Sequence, residues 1–269
     1  MNPFEIKQVL DNYIYRGFNF ISNFFFFFKF KIKLLIKENS KYKDLHKNYR
    51  CFILATGPSI SKLESHQIDL LKKELVLAVN SFYKIELTAS ITPDYYVLLD
   101  DLYWKDWNYV FSDIEKKYKS KFPVFITDFR SKPFINSYKK KLNSIFLYAK
   151  KYPVNYIDSD LSANMFIGMN VVATAILSAI YFGVKEIYLI GADYNAFCNQ
   201  GKGHAYDDND ELSQSDYNLA FYLKFYAIGT EFHYLIAKYA KKRGVKIFNL
   251  NPNSLLDAYP KIPLSEILS

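Results

Sequence analysis

The sequence predicts an α/β fold built on a mainly parallel, Rossmann-like sheet with helices on both faces. Two observations predict it. Short apolar runs bounded by turn residues recur at Cys51–Ala55, Leu75–Val79, Tyr95–Leu99, Pro123–Thr127, Ser144–Leu147, Ile187–Ile190 and Lys246–Leu250. They lack polar alternation, as strands do when helices cover both faces. Stretches of helical length fall between them, and strand alternating with helix is the pattern of a parallel sheet. The chain has 269 residues, half of them apolar, enough for one sizeable core.

Residues 1–49 read as a basic, aromatic extension, and 50–269 as a single nucleotide-binding domain. Phe24 to Phe28 are consecutive phenylalanines, followed closely by Lys29, Lys31, Lys33 and Lys37. An apolar aromatic face beside lysines suits a helix lying on an anionic membrane surface, here through residues 18–37. The alternative is that it packs on the core or on a second copy in a homo-oligomer. No stretch reaches the ~18 apolar residues that cross a bilayer, and no signal-peptide pattern is present.

The first apolar run, Cys51–Ala55, leads into Thr56-Gly57-Pro58-Ser59. Gly57 is expected to allow close backbone approach and unusual dihedrals. Pro58 and Ser59 suit a first helical turn, whose free N–H groups attract phosphate. Ser59 or Ser61 is expected to cap a helix over 61–73. One glycine is too few for a dinucleotide fingerprint, and no Gly-Lys-Ser/Thr follows to make a Walker loop. A plain tight turn is the structural alternative.

The second run ends in Asn80, which offers a donor and an acceptor where doubly wound sheets bind ligands. It would otherwise cap the next helix. The third run is followed by Asp100 and Asp101. Gly168-Met169-Asn170 opens an apolar helix over 170–182, with Gly183 as its C-cap. The segment Lys185–Tyr194 is a strand ending in Gly191, with Asp193, Tyr194 and Asn195 beyond it. Gly201–Asp210 is a polar loop holding His204, Tyr206, Asp207, Asp208 and Asp210. His204 is a candidate general base; the acidic residues alternatively suit a divalent cation. His46, His66 and His233 have weaker claims. Residues 217–243 read as one long helix or two, ending at Gly244. The last run reaches Asn253 and Ser254, again at a strand's carboxyl end.

The net charge is +8, from 35 basic and 27 acidic residues, which suits an anionic partner. The excess is concentrated in residues 29–50, 116–121 and 139–141. Aromatic residues reach 19%, which an AT-rich genome accounts for without a stacking surface, so no nucleic-acid partner is expected. Two distant cysteines, Cys51 and Cys198, form neither a disulfide framework nor a zinc spacing, and fit a reducing cytoplasm.

Taken in order, Thr56–Ile60, Val79–Tyr83, Val184–Asp193, His204 and Pro252–Leu256 resemble the small bacterial sialyltransferases that build lipooligosaccharide. The resemblance covers roughly residues 50–260 and implies a Rossmann-like, GT-A-like variant. That fold would transfer sialic acid or a related sugar from a CMP-sugar to a glycan or glycolipid acceptor, with no obligatory metal. His204 would be the general base. Thr56, Gly57, Pro58, Ser59 and Asn80 would hold phosphate and ribose. Gly191, Asp193, Asn195, Asn253 and Ser254 would hold the cytosine, and Tyr194 or Tyr206 the departing phosphate. Asn170 and Asp100 complete the expected donor site. Thr56 and Asp100 stand where that family has asparagines. The same segments resemble proteins of surface-polysaccharide and capsule clusters, related to motility-associated glycosyltransferases and a pterin pyrophosphokinase. That resemblance implies ATP and Mg²⁺ chemistry as the alternative, with a non-catalytic, membrane-peripheral scaffold of the same fold as a third reading.

Overall fold

The structure, a computed structural model, describes residues 2–119, 121–136, 143–150, 156–157, 159–167, 170–198, 203–207 and 218–269. Gly168, Met169, Gly201, Asp208, Asp210 and residues 139–141 of the basic middle segment lie outside the described residues.

Two N-terminal helices, α1 (Pro3–Phe28) and α2 (Phe30–Lys37), precede the sheet. The strands are β1 (Arg50–Leu54), β2 (Leu75–Val79), β3 (Tyr95–Leu98), β4 (Val124–Asp128), β5 (Ser144–Lys150), β6 (Asn164–Phe166), β7 (Glu186–Ile190) and β8 (Lys246–Asn249). Between them run α3 (Ser65–Leu71), α4 (Val110–Lys117), α5 (Lys132–Asn136), α6 (Val171–Tyr181) and α7 (Leu219–Lys242). Every strand pair is parallel, in the order β6-β5-β4-β3-β2-β1-β7-β8.

Alternate residues of each strand feed two cores, as the pleat requires. Cys51, Ile53, Leu75 and Leu77 join α6 and α7 on one face. Phe52, Leu54, Val76 and Ala78 join α3 and α4 on the other. Both faces are therefore covered, which is why these strands read as continuous apolar runs.

The chain runs from β1 outward through β2 to β6, returns along α6, and places β7 on the opposite side of β1. The strand order reverses at β1/β7, where such sheets open a crevice at their carboxyl ends.

Several elements depart from the sequence expectation. The segment expected as one helix over 61–73 is a short 3-10 turn (Pro58–Lys62) followed by α3. Neither Ser59 nor Ser61 caps it. Glu64 does, in a capping box with Gln67, because the chain extends at Leu63 before turning helical. The strand β6 was missed, being only three residues long. The basic extension drawn at 1–49 does not stand wholly apart. Ile36 and Tyr42 are buried, and Asn39 Nδ2 donates to the carbonyls of Phe146 and Leu161.

Candidate functional site

At the β1/β7 reversal lies an open cavity, ≈ 600 Å³ with its mouth included. Its floor comes from Ala55, Thr56 and Gly57 after β1 and from Gly191 to Ala196 after β7. Val79 at the end of β2, the α6 start at Asn170–Val172, Gly203 and His204, Tyr226 on α7, and Leu256 complete it.

The loops after β1 and β7 are sewn together. Ala55 N–H donates to the Ile190 carbonyl at 2.8 Å, and Gly57 N–H to the Gly191 carbonyl at 2.9 Å. Gly191 has φ +73, and a Cβ there would stand 2.7 Å from the Ala55 carbonyl oxygen, so glycine is required on both counts. Gly57 differs from the expectation. Its dihedrals are ordinary, φ −66 and ψ 154. What excludes a side chain is packing, since a Cβ would lie 2.5 Å from the Gly191 carbonyl oxygen and 2.7 Å from Asp193 Oδ2.

Asp193 is the clasp. Its buried carboxylate accepts from Ser59 N–H at 2.7 Å and from the Ser59 hydroxyl. It also accepts from Asn251 Nδ2 at 2.7 Å. Three strand ends, those of β1, β7 and β8, thus meet on one carboxylate. The Pro58–Ser59 turn is therefore not the free phosphate cradle that the sequence suggested. Ser59 N–H is occupied by a negative group of the protein itself, and the turn is one short 3-10 element.

Ser254 is buried and its hydroxyl bridges the Ala192 and Asp193 carbonyls. Asn253 is exposed, its N–H held by Asn251 Oδ1 at 3.1 Å. Neither lines the cavity; both serve the loop after β7 or the surface. Asp100 also stands off the cavity. It caps a 3-10 turn by accepting from Leu102 N–H at 3.0 Å.

Asn80 immediately follows cavity-lining Val79 in left-handed backbone, φ 47. Its carbonyl accepts from the buried Tyr96 hydroxyl at 2.8 Å, while its own Oδ1 is buried with no hydrogen-bond partner. Strain combined with an unsatisfied acceptor is a pattern concentrated at ligand sites.

Tyr194 is also left-handed, φ 59. Its ring packs edge-on against Tyr226 and His233. Its hydroxyl reaches α7, where a Cβ on Gly229 would be 2.6 Å away. Burial pushes its pKa up to about 12, opposed in part by a hydrogen bond with Thr230. The expected role of Tyr194 at a departing phosphate is displaced by this geometry: the ring lines the cavity, but the hydroxyl anchors α7.

His204 does reach the cavity, which the sequence anticipated. Two features hold it there. The next residue, Ala205, donates its N–H to the Thr56 carbonyl at 2.8 Å. The buried Tyr206 stacks on the imidazole, centroids 5.1 Å apart and planes 18° apart. The Lys84 Nζ lies 5.2 Å over the Tyr206 ring. Tyr206 supports the histidine and is not itself part of the lining.

The N-terminus of α6 is the cavity's positive end. Asn170 caps it by accepting from Ala173 N–H at 3.2 Å, and its first-turn residues Val171 and Val172 line the space. An eleven-residue helix places partial positive charge there. Sequence reasoning named Asn170 but missed Val171, Val172, Tyr226 and Leu256. Only the capping asparagine signalled the first two, and Tyr226 carries no local signal because α7 enters from elsewhere in the chain. Among the described residues, no group of three or more His, Cys, Asp or Glu side chains is placed to hold a metal ion.

A family model described as 6-hydroxymethylpterin diphosphokinase MptE-like matches residues 18–199. No curated protein matches the sequence. Among solved structures, the MAf glycosyltransferase from Magnetospirillum magneticum AMB-1 aligns with 88% of this chain and 39% of its own, at 13% identity and a TM-score of 0.52. An asparagine-to-alanine variant of the sialyltransferase CST-II in complex with CMP aligns over 79% and 86% of the two chains, at 17% identity and a TM-score of 0.50. CstII from Campylobacter jejuni in complex with the substrate analogue CMP-3FNeuAc aligns over 80% and 86%, at 14% identity and a TM-score of 0.48. At such identities the shared property is the fold.

Proposed function

Because the chain belongs to the 6-hydroxymethylpterin diphosphokinase MptE-like family, we propose that it is a nucleotide-dependent transferase, and more narrowly a glycosyltransferase of bacterial surface glycan synthesis. Its donor would be a CMP-sugar and its acceptor a hydroxyl of a glycan or glycolipid. The observation that carries this reading is the presence of His204 and the α6 N-terminus in one cavity at the strand-order reversal. A base and an anion-binding end are what transfer from a nucleotide to a hydroxyl requires. The likeness of fold to a sialyltransferase structure with CMP and to the MAf glycosyltransferase supports the choice of sugar over other groups.

In this reading the donor phosphate sits at Val171 and Val172, held by the helix end. Asn195 and Gly191 face the base. His204 takes the proton from the acceptor hydroxyl as its oxygen attacks the anomeric carbon. The bond from that carbon to the phosphate oxygen breaks, and CMP leaves carrying the charge. With the Tyr194 hydroxyl turned into α7, stabilising that charge falls to the α6 end.

The family description itself favours a second reading, transfer of diphosphate from ATP with Mg²⁺. Asp100, Asp101 and Asp207 are the carboxylates the sequence offers it, but among the described residues no three such side chains gather to hold a metal ion. Calorimetric titration with CMP, UDP, ADP and Mg-ATP separates the two. CMP binding together with release of sugar from a CMP-sugar is expected. Preferential Mg-ATP binding with ATP consumption selects the second reading, and binding of none of them defeats both. His204→Ala is expected to lower turnover by about 100-fold to 10,000-fold while CMP affinity stays within a few-fold. Wild-type turnover in that variant removes His204 from the mechanism.

A further inference from the structure

The helix α1 is amphipathic in the opposite sense to a helix packed in water. Its inward stripe, Asn12, Tyr15, Asn19, Ser22 and Phe26, is largely polar. Asn19 is its most deeply buried residue, 5% exposed. Side-chain hydrogen bonds tie the helix down: Asn164 Nδ2 donates to Asn23 Oδ1 at 2.7 Å, and Gln8 Nε2 to Glu231 Oε1 at 3.0 Å. The outward side is apolar. Phe20, Phe27 and, at the start of α2, Phe30 are 71%, 67% and 68% exposed. Water penalises this orientation, and turning the helix over would relieve the penalty. The polar contacts hold it with the rings outward, so the medium they meet should be apolar.

That medium must also be anionic. From residue 12 to 37 the charged side chains are Arg16, Lys29, Lys31, Lys33 and Lys37, with no acid among them. Lys31 and Lys37 flank the exposed Leu34 one helical turn to either side. The Lys33 Nζ stands 4.8 Å over the Phe27 ring, at the edge of the aromatic face. Aromatic rings with lysines at their rim match the acyl–headgroup boundary.

We propose that α1 and α2 lie in the plane of an anionic phospholipid surface, phenylalanines inward and lysines among the headgroups. Among the described residues no helix is long and apolar enough to cross a membrane, so the helices rest on it. A second copy is the weaker occupant, because two-fold pairing would bring the same lysines together. The proposal does not depend on the reaction. It bears on it, however, since Glu231 lies on α7 little more than one turn after cavity-lining Tyr226 and a docked α1 would bring the cavity close to lipid-borne acceptors.

The test is flotation of the full chain with vesicles of phosphatidylcholine alone and of phosphatidylcholine mixed with phosphatidylglycerol. Binding to the mixed vesicles, weakened by salt, is expected. Phe20→Ser with Phe24→Ser and Phe27→Ser should abolish it. Each of Lys31→Gln and Lys37→Gln should weaken it by about fivefold. Circular dichroism and an unchanged thermal unfolding midpoint would show that these variants fold. Failure of the folded wild-type chain to float with anionic vesicles overturns the proposal. So does a dimer in sedimentation that the phenylalanine variants dissociate while lipid binding is absent.

Discussion

Gly57→Ala isolates packing from backbone strain. At φ −66 and ψ 154 alanine fits the backbone without penalty. The new Cβ would nevertheless stand 2.5 Å from the Gly191 carbonyl oxygen, where ordinary contact begins at 3.4 Å, so a shift of about 0.9 Å is needed. The obstructing atoms are backbone and a clasped carboxylate, not the free end of a flexible chain. Overpacking of this kind costs about 1–3 kcal/mol. The displaced Gly57 N–H···Gly191 bond adds about 1 kcal/mol. The expected loss is therefore about 2–4 kcal/mol, a large share of a typical domain's stability. Equilibrium urea unfolding at constant m-value reads it. Gly244→Ala is the matched control. Gly244 has φ +68, and nothing lies within 4 Å of its Cβ position, so only the left-handed dihedral cost of about 1–2 kcal/mol applies. A Gly57→Ala loss no larger than that of Gly244→Ala would refute the packing argument.

Two further outcomes follow from the geometry. His233 is fully buried, with Nδ1 bonded to the Tyr259 hydroxyl at 2.8 Å, and burial lowers its pKa from 6.5 to about 3. Between those values the unfolded chain binds the proton and the folded one does not, so stability falls as pH drops below about 6.5, by up to about 1.4 kcal/mol per unit. Denaturation midpoints of wild type and His233→Asn across that range check this; parallel slopes would remove His233 from the acid response. Ser59→Ala should change CMP affinity less than threefold, since Ser59 serves Asp193, whereas Asn170→Ala, which loosens the first turn of α6 by removing its cap, should weaken it more than Ser59→Ala does. Calorimetry giving the reverse order would restore the Pro58–Ser59 turn as the phosphate site.

The sheet was legible because burial on both faces leaves its mark residue by residue. The runs at 51–55, 75–79 and 187–190 needed no partner to be recognised, and their observed bounds differ by a residue at most. The helix over 61–73 was misread because its amphipathic pattern continues through Leu63, where the backbone is extended at ψ 129. Side-chain spacing reports which face is buried, not whether the chain between is helical. His204 was legible as a histidine in a polar loop after a strand end. What holds it, the Ala205–Thr56 hydrogen bond and the Tyr206 stack, was not.

The loop after β1 shows why a motif can mark the right place for the wrong reason. Thr56-Gly57-Pro58-Ser59 does lie at the strand-order reversal, and Thr56 and Gly57 do line the cavity. Yet the demand for glycine comes from Gly191 and Asp193, and the serine's donors are spent on a carboxylate 134 residues away in sequence. A buried carboxylate bound to this turn occupies the position that an anion would otherwise seek. The turn therefore ties the end of β1 to the loop after β7, and its serine is engaged by the protein itself. Local sequence contains the glycine and the serine; it does not contain Asp193, and Asp193 is what occupies the donors of Ser59.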